Sequence, residues 1–278
     1  MFEGLWVRVV NHTPIEEYDG IFVKREDLSC PSPGPPFAKV RGLYAHLLKL
    51  KAEGISIIGY TETSISMAGW AISWIAKELG MTAVIYNPVY KVEHSVLEYH
   101  KSKWIEFGAE IRNIDAGMAK VNYHISKNML RKEFGPSAVL LPLGIPLSET
   151  VVEVSKEFHA SDLGRFRTIV VCVGSGTMTA GILRGIRETG YNISVRGILC
   201  RESCQKVVKK DMIVSKAGYL PLDPPDFKLI DEGYEYTNKV EIDCPFPCNP
   251  YYDLKAWKWL MENKDGIEGP ILFWNIGA

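Results

Sequence analysis

The sequence predicts an α/β protein with open parallel sheets in two domains. Three observations carry this. Short, nearly continuous apolar runs such as Thr168–Val173 (TIVVCV) have the character of strands covered on both faces. Longer segments with helical spacing lie between them. The two kinds alternate along almost the whole chain, which calls for right-handed crossovers between parallel strands.

Taken in order, strands are expected at Gly20–Lys24, Ile55–Tyr60, Thr82–Asn87, Glu110–Ile114, Ala138–Leu143, Thr168–Val173, Ser194–Leu199 and Ile271–Asn275. Helices are expected at Lys39–Glu53, Ser66–Leu79, Glu93–Phe107, Ala116–Phe134, Ser148–Ala160, Thr177–Thr189, Glu202–Ala217 and Tyr251–Asn263. In the second of these, Met67, Trp70, Ala71, Trp74 and Ile75 form one apolar stripe closed by Glu78, so a single buried face is expected. Two proline-rich stretches, Cys30–Pro36 and Pro221–Phe227, read as loops, because helix interiors do not tolerate so many prolines.

Composition narrows the function classes. The chain has 278 residues, 46% hydrophobic and 23% charged, the balance of a globular enzyme rather than a disordered chain. With 32 basic and 33 acidic residues its net charge is -1, which argues against a surface built to coat nucleic acid but not against a local basic patch. No apolar run approaches the roughly 18–20 residues of a membrane span. The N-terminus, MFEGLWVRVVNHTP, lacks the marks of a signal peptide, so no membrane attachment and a cytoplasmic location are expected. The 6 cysteines do not make a disulfide scaffold. Cys200 and Cys204, and Cys244 and Cys248, are spaced by three with prolines inside the second pair, an unusual metal-ligand spacing, so no metal site is expected.

Five features could carry chemistry. Gly174-Ser175-Gly176-Thr177-Met178-Thr179-Ala180-Gly181 follows a strand and opens a helix. Glycines let successive N–H groups converge on one anion, and hydroxyls add donors, so this is a phosphate cradle; the plainer reading is a tight strand–helix turn. It is neither a Walker A loop nor a GxGxxG fingerprint with its acidic residue. Lys39 sits where a loop becomes a helix, a setting that depresses a lysine pKa and suits a Schiff base, although most lysines at helix starts are merely solvated. Tyr60–Gly69 offers hydroxyls and N–H groups between a strand and a helix, fit to hold a carboxylate or simply to cap the helix through Ser64 or Ser66. Asn249–Ala256 reads as a helix start with Asp253 in its first turn. Ile271–Ala278 is a strand ending the sequence.

In their order these pieces resemble the fold-type-II pyridoxal-phosphate (PLP) enzymes, nearest the 1-aminocyclopropane-1-carboxylate deaminase and D-cysteine desulfhydrase branch of the tryptophan synthase β-like family. Thr13-Pro14-Ile15 is similar to its opening TPL, Val23–Leu28 to VKREDL, and Phe37–Leu43 to GNKxRKL. Ser66–Trp70 falls at SNHxR, Leu141–Glu149 at IPxGxxxPLG, and Gly174–Gly181 at the phosphate loop. Asn249–Ala256 is similar to DPVYEGKA and Phe273–Ala278 to FIHTGG.

The resemblance implies roles. Lys39 would carry pyridoxal 5'-phosphate. Gly174, Ser175, Gly176, Thr177 and Thr179 would hold its phosphate. Asp253 would face the pyridine nitrogen, Tyr252 would stand beside the reacting carbon, and Ser66 would lie near the substrate carboxylate or leaving carbon. Lys39, Ser66 and Tyr252 would be the catalytic residues. The departures fall mainly in the substrate shell: Phe37-Ala38 for Gly-Asn, Met67 for Asn, Ala68 and Trp70 for His and Arg, and Ile276-Gly277-Ala278 for Thr-Gly-Gly. A large domain of residues 1–44 plus 148–278, a small inserted domain of residues 45–147 and a homodimer are expected.

Three functions remain open on the sequence. The first is a PLP-dependent deaminase, desulfhydrase or other lyase acting at the α or β carbon of a small amino acid. The second is a PLP-dependent decarboxylase or lyase acting on an amino acid attached to a larger carrier, such as a modified DNA base of a phage. The third is a PLP-fold binding protein without activity, against which the retention of Lys39, Tyr252 and Asp253 counts.

Overall fold

The computed structural model describes residues 10–91, 95–219, 224 and 226–278. The N-terminal segment read for a signal peptide, the first residues of the 93–107 helix and most of the Pro221–Phe227 loop lie largely outside them.

In chain order the elements are β1 (Ile15–Tyr18), β2 (Ile21–Arg25), α1 (Val40–Ala52), β3 (Ile57–Thr61), α2 (Ala68–Glu78), β4 (Thr82–Val89), α3 (Ser95–Glu106), β5 (Glu110–Asp115) and α4 (Ala119–Phe134). They continue with β6 (Ala138–Leu140), α5 (Ser148–Ala160), β7 (Thr168–Val173), α6 (Thr177–Thr189), β8 (Ser194–Leu199), α7 (Lys206–Lys216), β9 (Phe227–Ile230), α8 (Asp253–Asn263) and β10 (Ile271–Asn275).

The chain divides into two compact units. One contains Ser32–Pro35 and Leu43–Pro146; the other contains Val10–Pro31, Pro36–Gly42 and Leu147–Ala278. Four residues of the first proline loop thus group with the smaller unit.

The larger unit is a 6-stranded sheet in the order β1-β2-β10-β7-β8-β9. All its pairings are parallel except β1 with β2. The central strands β7 and β10 are buried at every residue, as their unbroken apolar runs require. Alternate side chains serve two cores: Ile169, Val171 and Val173 join residues of α5 and α6, while Val170 and Cys172 join Leu254, Trp257 and Leu260 of α8.

Two strands escaped the sequence reading. β1 is charged (IEEY), but Asp19 (φ 49°) and Gly20 (φ 79°) form the two-residue left-handed turn that joins it to β2. That Asp-Gly pair was the available signal. β9 begins at Phe227, inside the expected loop; Phe227 and Leu229 point inward and Lys228 outward, an edge-strand alternation four residues long.

The smaller unit is a 4-stranded parallel sheet in the order β5-β4-β3-β6. Ser66 and Met67 precede α2 rather than lying in it. The amphipathic reading of α2 also fails, since Ala68–Ala76 are all buried. Ser73, on the face expected to meet water, donates its hydroxyl to the Gly69 carbonyl at 2.7 Å and so tolerates burial. Among the described residues no helix is long and apolar enough to cross a membrane.

Candidate active site

The segment ahead of Lys39 is pinned from two sides. Lys24, fully buried on β2, donates to Glu157 of α5 at 2.5 Å. Arg41 donates to both oxygens of Glu26 at 2.8 Å and lies 3.3 Å from Glu157. Thr13 donates its hydroxyl to Glu26 at 2.5 Å. The VKREDL-like segment is therefore a buried ionic brace for the start of α1. From the other side, Ala38 N–H donates to the Ile276 carbonyl at 2.8 Å and Ala278 N–H to the Pro36 carbonyl at 3.2 Å.

So held, Lys39 donates from Nζ to Ser175 Oγ at 3.2 Å, and Ser175 Oγ lies 3.0 Å from Thr177 Oγ1. Burial of its ammonium lowers the Lys39 pKa to about 8; the thiols of Cys200 and Cys172 oppose that shift and Lys216 and Lys209 add to it. Gly176 caps α6 with φ 84°, and a Cβ there would come within 2.5 Å of Ile213 Cγ1. Only glycine satisfies both the left-handed backbone and the close approach of α7. The first N–H groups of α6 have no intrahelical acceptor, and the buried Thr179 hydroxyl has no partner among the described residues.

Asp253 is the first residue of α8 and 1% exposed. Its carboxylate accepts the Ile276 N–H at 2.9 Å. Burial raises its pKa to about 8, the Ile276 N–H opposes this, and the charges of Asp27 and Cys200 reinforce it. No basic side chain among the described residues pairs with it. Tyr252 lies beside Asp253, its hydroxyl 2.8 Å from that of Tyr236, a partner that the sequence did not flag.

These groups fit pyridoxal phosphate on their own chemistry. Hydroxyl and N–H donors at the start of α6, one of them orphaned, suit a phosphate. An amine beside them suits an aldehyde. A buried carboxyl without a cation suits a protonated ring nitrogen. The larger unit alone brings together Lys39, Gly174, Ser175, Gly176, Thr177 and Thr179 on one side and Tyr252 with Asp253 on another. Cys172 and Cys200 are also buried in this unit.

Ser66 belongs to the smaller unit, in the turn between β3 and α2. Its hydroxyl accepts the Ala68 N–H at 3.1 Å, while Met67, at the N-cap position, contributes no side-chain cap. Glu62 does more of the capping: it accepts the Gly69 N–H at 2.6 Å and the Thr63 N–H at 2.9 Å. Sequence reasoning passed over it because a glutamate directly after a strand reads as solvated, yet it is 1% exposed.

Comparison with known proteins agrees with this chemistry. The chain is 38% identical over 288 aligned positions to the glycyl-dTMP PLP-dependent decarboxylase of Pseudomonas phage M6, covering 97% of this chain and 99% of that protein. Its fold is similar to a crystal structure of a 1-aminocyclopropane-1-carboxylate deaminase homologue, with a TM-score of 0.79 and 20% identity over 97% of this chain and 90% of the other. It is also similar to the O-acetylserine dependent cystathionine β-synthase of Helicobacter pylori, with a TM-score of 0.67 and 17% identity over 98% and 94% of the two chains. Residues 8–237 match the family described as pyridoxal-phosphate dependent enzyme, and the chain is a member of that family, an enzyme whose cofactor is pyridoxal 5'-phosphate.

Proposed function

We propose that the protein removes the carboxylate of an amino acid attached to a thymidine nucleotide, the second of the readings that the sequence leaves open. The observation that carries this is the full-length similarity to a glycyl-dTMP decarboxylase, 38% identical across 97% of the chain.

Bound pyridoxal phosphate supplies an electron sink for the pair left on the α-carbon when a bond there breaks. The residues do the rest. Lys39 would hold the cofactor, and its Nζ, whose pKa burial lowers to about 8, can hold a proton near neutral pH. Nζ would deliver that proton to the substrate α-carbon. Ser175, Gly176, Thr177 and Thr179 would hold the phosphate. Asp253 would hold the ring nitrogen protonated. Tyr252, steadied by Tyr236, would assist at the reacting carbon.

The test is direct. Purified holoenzyme is incubated with glycyl-modified thymidylate, free or within DNA, and with free glycine and other amino acids. The expected product is the carrier-linked amine with one CO2 released. Ammonia or a keto acid from free amino acids, with no CO2 from the carrier-linked substrate, would show a deaminase or lyase instead.

A further inference from the structure

The loop and helix start at Gly174–Thr179 carry no charged side chain, so their own donors for a phosphate are hydroxyls and N–H groups. A neighbouring helix of the same unit brings positive charge to them. Ile213 of α7 rests on Gly176, where a Cβ would meet its Cγ1 at 2.5 Å and its Cδ1 at 2.8 Å. With 3.6 residues per turn, Lys209 and Lys216 lie about 40° and about 60° to one side of Ile213. Lys210 lies on the other side, with its Nζ 5.8 Å from the centre of the Phe227 ring on β9. Val207 and Val208 are exposed on the far face. Lys209 and Lys216 are half-buried, and neither makes an ion pair or side-chain hydrogen bond among the described residues. Burial lowers the pKa of each. Asp231 acts on Lys209 without an ion pair, its oxygens accepting the Ser203 N–H at 3.0 Å and the Gly233 N–H at 3.1 Å. Lys209 also stands in the first turn of α7, where the helix dipole disfavours a cation, so helix stability does not explain it.

We propose that Lys209, with Lys216 beside it, supplies the positive charge for the phosphate held at the start of α6. This rests on the phosphate role proposed above for that loop, and not on which bond of the substrate breaks. The physical logic is charge balance. Neutral donors fix where a phosphate sits, but a dianion taken partly out of water also needs countercharge. The ammonium groups need the phosphate in turn. Burial lowers the Lys39 pKa first, and the charges of Lys216 and Lys209 lower it further. Three cations therefore repel one another beside a loop suited to an anion, and a bound dianion relieves that repulsion. The ligand chemistry is a phosphate ester. The cofactor's own phosphate fits it, because the loop's Ser175 Oγ lies 3.2 Å from Lys39 Nζ. The phosphate of a nucleotide carrier has the same chemistry, so the test separates the two.

The experiment has two arms. In the first, apo-protein is dialysed against pyridoxal phosphate and against pyridoxal, which lacks the phosphate. The ratio of the two affinities isolates the phosphate from the amine of Lys39, whose pKa the variants also move. The ratio is expected to fall roughly tenfold when Lys209→Met and Lys216→Met are combined, as for loss of a charged hydrogen bond. Lys209→Met alone should lower it by a smaller factor, and Lys209→Arg with Lys216→Arg should keep it near wild type, since the charge remains. The second arm needs no variant. Wild-type apo-protein is trace-labelled with acetic anhydride and mapped by peptide mass, with and without inorganic phosphate or pyridoxal phosphate. Either addition is expected to slow acetylation of Lys209 and Lys216 and to leave the exposed Lys206 unchanged. An unchanged ratio in the double methionine variant with native near-ultraviolet dichroism overturns the proposal. So does acetylation of Lys209 that neither addition slows. Protection of Lys209 in the holoenzyme by thymidylate, with none from pyridoxal phosphate alone, assigns the lysines to a carrier phosphate and overturns it too. A ratio lost in Gly176→Ala but kept in the double methionine variant removes the lysines alone, whereas a ratio kept in both removes the loop reading with them.

Discussion

The ammonium of Lys39 lies 3.2 Å from the hydroxyl of Ser175, across 136 residues of sequence. An amine fit for an aldehyde and a loop fit for a phosphate are thus joined within one unit of the fold. The contact depends on β10, whose C-terminal neighbours hold the backbone ahead of Lys39, and on β7, which delivers the loop.

Lys39 is the residue expected to be labelled when the holoenzyme is reduced with borohydride and mapped by peptide mass. Two other buried lysines are unsuited by their partners: Lys24 is held by Glu157 and the Thr13 carbonyl, and Lys255 by the carbonyls of Cys200 and Glu235. Lys39→Ala should lose the visible cofactor band and turnover by more than 1,000-fold, on the order of 4 kcal/mol in the barrier. A pyridoxyl label on Lys24 or Lys255 would overturn the assignment.

Gly176→Ala should weaken cofactor binding at least tenfold while secondary structure persists. Its left-handed backbone costs a Cβ-bearing residue roughly 1–2 kcal/mol. The contact with Ile213 adds about 1–3 kcal/mol of overpacking. Both strains fall on the loop proposed to present N–H groups to the phosphate. Equilibrium dialysis against pyridoxal phosphate, beside a urea melt of the apo-protein, separates lost binding from lost stability. Unchanged affinity would remove the phosphate role from this loop.

Much of this was legible in the sequence because the signals were local. β7 is an unbroken apolar run, and the glycine-hydroxyl loop follows it at once, so strand, cradle and helix could be read within twenty or so residues. Lys39 and Asp253 were legible only through family resemblance; helix-start positions alone favour solvated side chains. β1 was hidden by its charges, since a two-stranded edge needs no apolar alternation on its open face. The burial of Glu62 was hidden more deeply. It depends on the missing side chain of Gly69 and on Trp104 from α3, neither of which has any fixed sequence distance from a turn glutamate.

The buried brace should be brittle. Burial by itself would raise the Glu157 pKa, but Arg41 and Lys24 outweigh it and hold the carboxyl below its ordinary value. Glu157→Leu would leave Lys24 buried without its carboxylate, a loss of about 3–5 kcal/mol. A group with a depressed pKa contributes stability that is present above its unfolded value near 4.5 and is lost as pH falls through its folded value. Urea melts should therefore show wild type weakening below about pH 4.5, with a smaller acid slope in Glu157→Leu. An unaltered melting midpoint in that variant would show the brace to be incidental.

Asp253 should act on stability with the opposite sign. Its folded pKa, about 8, lies above its unfolded value of 3.8, so the native apo-protein binds the extra proton between those pH values. Stability from this group is fully present below pH 3.8 and drains away as pH rises towards 8. Asp253→Asn keeps an oxygen to accept the Ile276 N–H but has no proton to lose, so its apo-protein should resist urea better than wild type at pH 8 and match it more closely at pH 5. The holoenzyme should behave differently. A ring nitrogen that receives its proton beside the Asp253 carboxylate relieves the buried charge, so the wild-type slope should flatten when cofactor is bound. Turnover in Asp253→Asn should fall at least 100-fold, about 2.7 kcal/mol, because the neutral amide no longer holds the ring nitrogen protonated. Equal pH slopes in apo-forms of the two proteins would show that Asp253 titrates normally. Full turnover in the variant would reduce it to a helix-start residue, with the electron sink sustained by some other group.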